Sequence, residues 1–146
     1  MYQNIGFRLN RVPRIWRAIL DQRLAPLGLT QTRWITLYHL AHLGDGQPQC
    51  DLARAIGVEA PSLVRTLDQL AEQKLIERRP CEQDRRTKRI FLTAKAAPLL
   101  KQIDEVVGTA RKEILAGLDE DELAKFEELL SRIEKNVQKI QNKEDD

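Results

Sequence analysis

The sequence predicts a mainly α-helical chain interrupted once by a small, charged β-hairpin. Three observations carry that prediction. Apolar residues recur at alternating three- and four-residue steps near both ends of the chain. A short helix, a glycine turn and a second helix fit the middle. Between residues 75 and 93 the helical period gives way to two short runs of strand formers around a polar, charged segment.

The elements follow in order. Ile5, Leu9, Val12, Trp16 and Ile19 form one helical stripe, widened by Leu20, Leu24 and Leu27 and closed by Pro26 and Gly28. Thr30 is placed to cap a second helix carrying Trp34, Leu37, Tyr38 and Leu40, which Gly44-Asp45-Gly46 and Pro48 break. A short helix is expected over about Asp51 to Ile56, stopped by Gly57. Pro61 suits the first turn of the next helix, where its missing N–H has no helical partner to lose. Leu75–Arg79 and Arg89–Thr93 read as the two strands of the hairpin, with residues 81–86 at its tip. A long helix from about Lys95 places Leu100, Ile103, Val107, Ala110 and Ile114 on one stripe, up to Gly117. Asp119 and Glu122 have the spacing of a capping box for a last helix with Leu123, Phe126, Leu130, Ile133, Val137 and Ile140.

Composition sets the broad class. With 146 residues, 42% of them hydrophobic and 32% charged, the chain is long enough to build one core and too apolar to stay disordered. No apolar run approaches the roughly 18–20 residues that span a bilayer, and Met1–Gly6 shows no basic, then apolar, secretory pattern. Two cysteines, Cys50 and Cys81, fit a reducing cytoplasm better than a disulfide framework. No Gly-rich phosphate loop, nucleophile elbow or His–Ser/Cys arrangement is visible, so a non-enzymatic protein without a cofactor is expected.

Charge is unevenly spread. Residues 1–60 carry +3, residues 61–100 carry +4 and residues 101–146 carry −5. From Arg78 to Arg89 there are six basic residues against two acids, which points to a polyanionic partner. The preceding helix, 61–73, divides into an apolar side (Leu63, Leu67, Leu70, with Val64 and Ala71) and a polar side of Ser62, Arg65, Thr66 and Gln69. Arg can read guanine and Gln adenine through paired hydrogen bonds in a major groove. The hairpin tip adds Arg85, Arg86, Lys88 and Arg89, suited to a narrow minor groove. Asp84 among them is expected to hold one arginine side chain.

The order of elements, Asp84-x-Arg86 with five residues before Leu92-Thr93, and the segments Arg14–Arg17, Leu29–Thr32 and Pro61–Leu70 resemble the MarR-type winged-helix transcription regulators, nearest the SlyA branch. The resemblance spans nearly the whole chain. It implies a winged helix-turn-helix over 1–146. The dimerisation lobe would take about 1–28 and 95–146, and the DNA-binding lobe about 30–93, with the helix-turn-helix at about 49–72 and the wing at about 75–93. It implies a cytoplasmic, nucleoid-associated homodimer on pseudo-palindromic, A/T-rich double-stranded DNA, with Ser62, Arg65, Thr66 and Gln69 in the major groove. Asp84, Arg85, Arg86, Lys88 and Arg89 would serve the wing. It also implies repression and activation, in competition with nucleoid proteins.

The remaining candidates are these. Leu9, Val12, Trp16, Leu123, Phe126, Leu130, Ile133, Val137 and Ile140 are expected at a two-fold dimer interface. Arg14, Arg17, Thr32, Trp34 and Tyr38 lie where relatives hold small aromatic carboxylates. His39 and His42 sit three apart but lack a third ligand at a recognisable spacing, so no metal is expected. Neither cysteine lies in the first helix, where the family's peroxide sensors carry theirs. The alternative function is a small-molecule sensor or helical module whose basic face meets an acidic protein.

Overall fold

The computed structural model describes residues 2–145. Six α-helices, three short 3-10 turns (Tyr2–Asn4, Ala25–Leu27 and Ala94–Ala96) and one small sheet make up the described chain: α1 (Ile5–Leu24), α2 (Gln31–Leu43), β1 (Gln47–Pro48), α3 (Gln49–Ile56), α4 (Ala60–Glu72), β2 (Ile76–Pro80), β3 (Lys88–Leu92), α5 (Ala97–Ile114) and α6 (Glu120–Asp145). The mainly helical, winged helix-turn-helix architecture expected from sequence is present. The sheet differs in one respect. It has three antiparallel strands in the order β1-β3-β2, because the two residues before α3 pair with Ile90 and Arg89 and add to the hairpin. The hairpin register runs from Ile76 opposite Leu92 to Pro80 opposite Lys88. Pro80 ends an edge strand, where a missing N–H breaks no ladder.

The chain divides into two compact units, one running to Arg111 and one starting at Lys112. The first holds the core. Leu24, Leu37, Leu40, Leu52, Leu63, Leu67, Leu70, Ile90 and Ile103 are fully enclosed there. α2 is tied to α1 by a hydrogen bond from Trp34 Nε1–H to Asp21 Oδ1 (2.7 Å). Thr30 precedes α2 in extended conformation, but its hydroxyl makes no capping bond. The second unit holds α6, opened by the expected capping box. Glu122 N–H donates to Asp119 Oδ1 (2.8 Å) and Asp119 N–H to Glu122 Oε1 (3.2 Å). No side chain of α6 is buried.

Candidate nucleic-acid interface

Two helices and a glycine set up the site. α3 starts directly after Pro48 and ends at Gly57, whose φ of 81° lies in the left-handed region that glycine enters without Cβ strain. The N–H groups of Gly57 and Val58 both return to the Ala53 carbonyl, at 3.0 and 3.2 Å. The chain then reverses within three residues into α4, whose first turn holds Pro61. Leu52, Ala53 and Ile56 of α3 and Leu63, Leu67 and Leu70 of α4 are buried, which locks the pair as a helix-turn-helix.

The outward face of α4 corrects the division expected from sequence. Thr66 is buried at 6% exposure, whereas Val64 is 38% exposed. The reason is angular. Thr66 stands one turn from both Leu63 and Leu70 and is carried inward with them, while Val64 falls outside the arc that Leu63, Leu67 and Leu70 define. Gln69 is half-buried and its amide oxygen accepts a bond from Arg33 Nε–H (3.0 Å), so that oxygen is already engaged. Ser62, Val64, Arg65 and Asp68 are the exposed members.

The wing tip is closed by Asp84. Its carboxylate accepts the Arg86 backbone N–H (3.0 Å) and the Thr87 hydroxyl (3.4 Å). Its carbonyl accepts the Thr87 N–H (3.0 Å), and Cys81 N–H closes onto the Thr87 carbonyl (2.9 Å). Asp84 therefore braces the backbone under Arg86 rather than an arginine side chain, as Asp does in turns.

The six basic residues of the run separate into two groups. Arg78 pairs with Asp68 (2.7 Å). Arg79 pairs with Glu77 (3.1 Å) and lies over the Phe91 ring at 4.1 Å. Arg89 is half-buried and donates Nη1–H to the Gly46 carbonyl (2.7 Å) and Nε–H to Cys81 Sγ (3.4 Å). Arg89 is thus a strut between β3 and the approach to β1, a role its place in a basic run did not reveal. Its guanidinium, with backbone groups of Asp84 and Gln83, holds the Cys81 thiol below its ordinary pKa. Among the described residues the side chains of Arg85, Arg86 and Lys88 enter no hydrogen bond or ion pair, and all three are exposed. Arg86 and Lys88 line a cleft of about 260 Å³ with Thr87, Gln49, Cys50, Ala53, Ala60 and Leu63, so the wing tip faces the start of α4 across open space.

The other candidates are dispersed. Arg14 and Arg17 are exposed on α1, and Arg14 Nε–H bonds its own helix at Asn10 O (3.3 Å). The carbonyl of Thr32 accepts the Thr36 hydroxyl (2.6 Å). Trp34 is buried with its indole N–H on Asp21, and Tyr38 Oη accepts from Arg111 (3.4 Å). None of these five lines the 260 Å³ cleft or a second cavity of about 230 Å³ at Arg23, Glu105, Val106 and Thr109. His39 bonds the Ile35 carbonyl (2.9 Å), and His42 pairs with Asp104 (3.5 Å) against the Tyr38 ring. Of the residues expected at a dimer interface, Leu9, Val12, Phe126, Ile133, Val137 and Ile140 are exposed, while Trp16, Leu123 and Leu130 are half-buried. Sequence reading placed Val64 on the apolar side and did not foresee the bonds of Arg33 and Arg78 or the strand β1; only angular placement of α4 could have separated Val64 from Thr66.

Known proteins share this arrangement. The MarR family model matches residues 27–87, from just after α1 through the wing tip. The structure of the transcriptional regulator PA3341 is 43% identical with a TM-score of 0.86, covering 92% of this chain and 98% of that one. A MarR mutant from E. coli complexed with operator DNA is 26% identical with a TM-score of 0.74, covering 91% and 97%. The transcriptional regulator SlyA is 25% identical with a TM-score of 0.79, covering 92% and 94%. With the helix-turn-helix, the closed wing and these matches over nearly its whole length, the chain belongs to the MarR family of transcriptional regulators.

Proposed function

We propose that this regulator is a homodimer that reads pseudo-palindromic, A/T-rich operator DNA, with α4 in the major groove of each half-site and the wing tip in the adjoining minor groove. The observation that carries the reading is the sorting of the basic run. Arg78, Arg79 and Arg89 are engaged by partners within the chain, while Arg85 and Arg86 on the turn that Asp84 fastens, and Lys88 at the start of β3, stand free. Free guanidinium groups on a narrow, preorganised tip suit a minor groove in which A/T sequence concentrates negative potential. Arg65 and Ser62 supply polar groups on the exposed face of α4. Thr66 and Gln69 contribute from the helix flank, through support of the helix rather than open base contact.

Dimerisation is supported by uncovered apolar side chains. α1 exposes Ile5, Phe7, Leu9, Val12 and Ile15. α6 exposes Phe126, Leu129, Ile133, Val137 and Ile140. Patches of this kind on a regulator mark an association surface, and a two-fold dimer matches a two-fold operator. Occupying such a site in the cytoplasm represses by blocking transcription or activates by displacing a nucleoid protein, with the same contacts. In the small-ligand reading, an aromatic carboxylate would be gripped by Arg14 and Arg17, since the polar atoms of Trp34 and Tyr38 already have partners.

The test is fluorescence anisotropy on an A/T-rich palindromic duplex and a scrambled one across a salt series. Binding should fall steeply with salt, and Arg86→Ala should lower the log–log slope by about one per protomer. Unchanged affinity and slope in Arg86→Ala would remove the wing from the interface. Retention of an acidic protein in place of either duplex would favour the interaction-module reading.

A further inference from the structure

α4 turns one apolar side chain outward. Val64 is 38% exposed, although Leu63 beside it is fully enclosed. An isolated exposed valine is ordinary on a protein surface; the surroundings of this one are not. It lies among Ser62, Arg65 and Asp68, exposed polar groups of the first part of α4. Arg78 Nη2 reaches the Val64 carbonyl (3.4 Å) and also holds Asp68 Oδ1 (2.7 Å). One arginine from β2 thereby fastens this stretch of helix and offsets the negative charge that would repel a phosphate backbone. In water the valine gains nothing from this placement, and β-branching slightly disfavours it in a helix.

The major groove offers one apolar feature at base edges, the C5-methyl group of thymine. We infer that Val64 packs against a thymine methyl in each operator half-site and is a specificity-determining residue of α4. The inference rests on the reading of α4 as the major-groove helix. It assigns the apolar contact to Val64, and it leaves polar readout to Arg65 and Ser62. Thymine is preferred at that position over cytosine, which has no methyl and presents an amino group instead.

The full-length protein is used to select duplexes from a random-sequence library. One thymine at a time in the enriched half-site is then replaced by deoxyuridine, which removes only the methyl. Anisotropy should show one position at which the replacement weakens wild-type binding by about fourfold, the effect expected for one methyl left in water. Val64→Ala should weaken the thymine duplex by a similar factor, and the two changes together should cost no more than either alone. Val64→Thr keeps a γ-methyl and should retain part of the deoxyuridine sensitivity. Val64 is exposed, so both variants should melt with the wild type. Steep salt-dependent binding with additive losses, or with no deoxyuridine-sensitive position, overturns the role of Val64 and leaves the operator reading standing. No enrichment and no salt-dependent duplex binding by the wild type overturns both.

Discussion

Arg89 shows how little a residue's charge says about its employment. Its guanidinium bonds the Gly46 carbonyl with one arm and the Cys81 sulfur with another. The second bond favours the thiolate, so the Cys81 pKa in the folded chain lies below its ordinary value of 9.0. Folding then releases a proton where the pH lies between those two values. The stability gained is fully present above the ordinary value and is lost as pH falls through the folded one. The wild type should therefore gain on Cys81→Ser between pH 7 and pH 9, read as the difference in urea midpoints. A constant difference across that range would mean that the thiolate is not favoured by folding. The same residue explains a limit of sequence reading. Arg78 to Arg89 is legible as a basic run, but the groups that occupy Arg78 and Arg89 are Asp68 and Gly46, distant in sequence and brought up only by folding. Asp84 was legible as a brace but not as a brace of backbone, since the chain alone does not show which way a turn carboxylate points. Thr66 and Val64 were exchanged because polarity was used where helical angle decides.

At the scale of elements, the helices were legible wherever a cap and a 3-4 stripe coincided. The start of α6 is the plainest instance. Asp119 and Glu122 satisfy each other's backbone N–H groups as their spacing required. Asp119→Ala should cost about 1 kcal/mol and fray the first turn of α6, checked by thermal unfolding and by faster amide exchange at residues 120–122. The hairpin strands were legible to within one residue at each end, from their strand formers and from Pro80. β1 was not. Two residues, Gln47 and Pro48, carry no alternation, and their pairing with β3 is set by Gly46, whose N–H reaches the Ile90 carbonyl (2.9 Å). The end of α4 was legible to within one residue, but not how the chain leaves it. Lys74 takes a positive φ of 61°, an unusual choice for a residue with a Cβ. Its carbonyl is held by the Thr93 hydroxyl at 2.6 Å, which ties the helix end to the far side of the hairpin.

At the scale of the whole molecule, the 26-residue α6 has no buried side chain and carries an exposed apolar stripe, the surface on which the proposed dimer rests. Ile133→Glu places a charge in the middle of its apolar stripe. Light scattering should then give a mass of 16.8 kDa rather than twice that. Affinity for a palindromic duplex should fall by roughly 10² or more as the two half-sites lose their linkage. A variant that keeps the doubled mass would exclude the centre of α6 from the interface. The acidic end of the chain fits this arrangement, because a −5 segment has reason to stay away from DNA. The third strand carries a further consequence. Pro48 is at once the last residue of β1 and the N-cap of α3, and Arg89 clamps the carbonyl just before β1. A load applied at the wing tip passes along β3 into β1 and so to the first turn of α3, with no slack joint on the way. In the proposed complex the wing and the α3–α4 pair, which packs as one helix-turn-helix, would therefore dock as a single lever. Loss of orientational freedom is incurred once for both, and a fault at either end loosens the other.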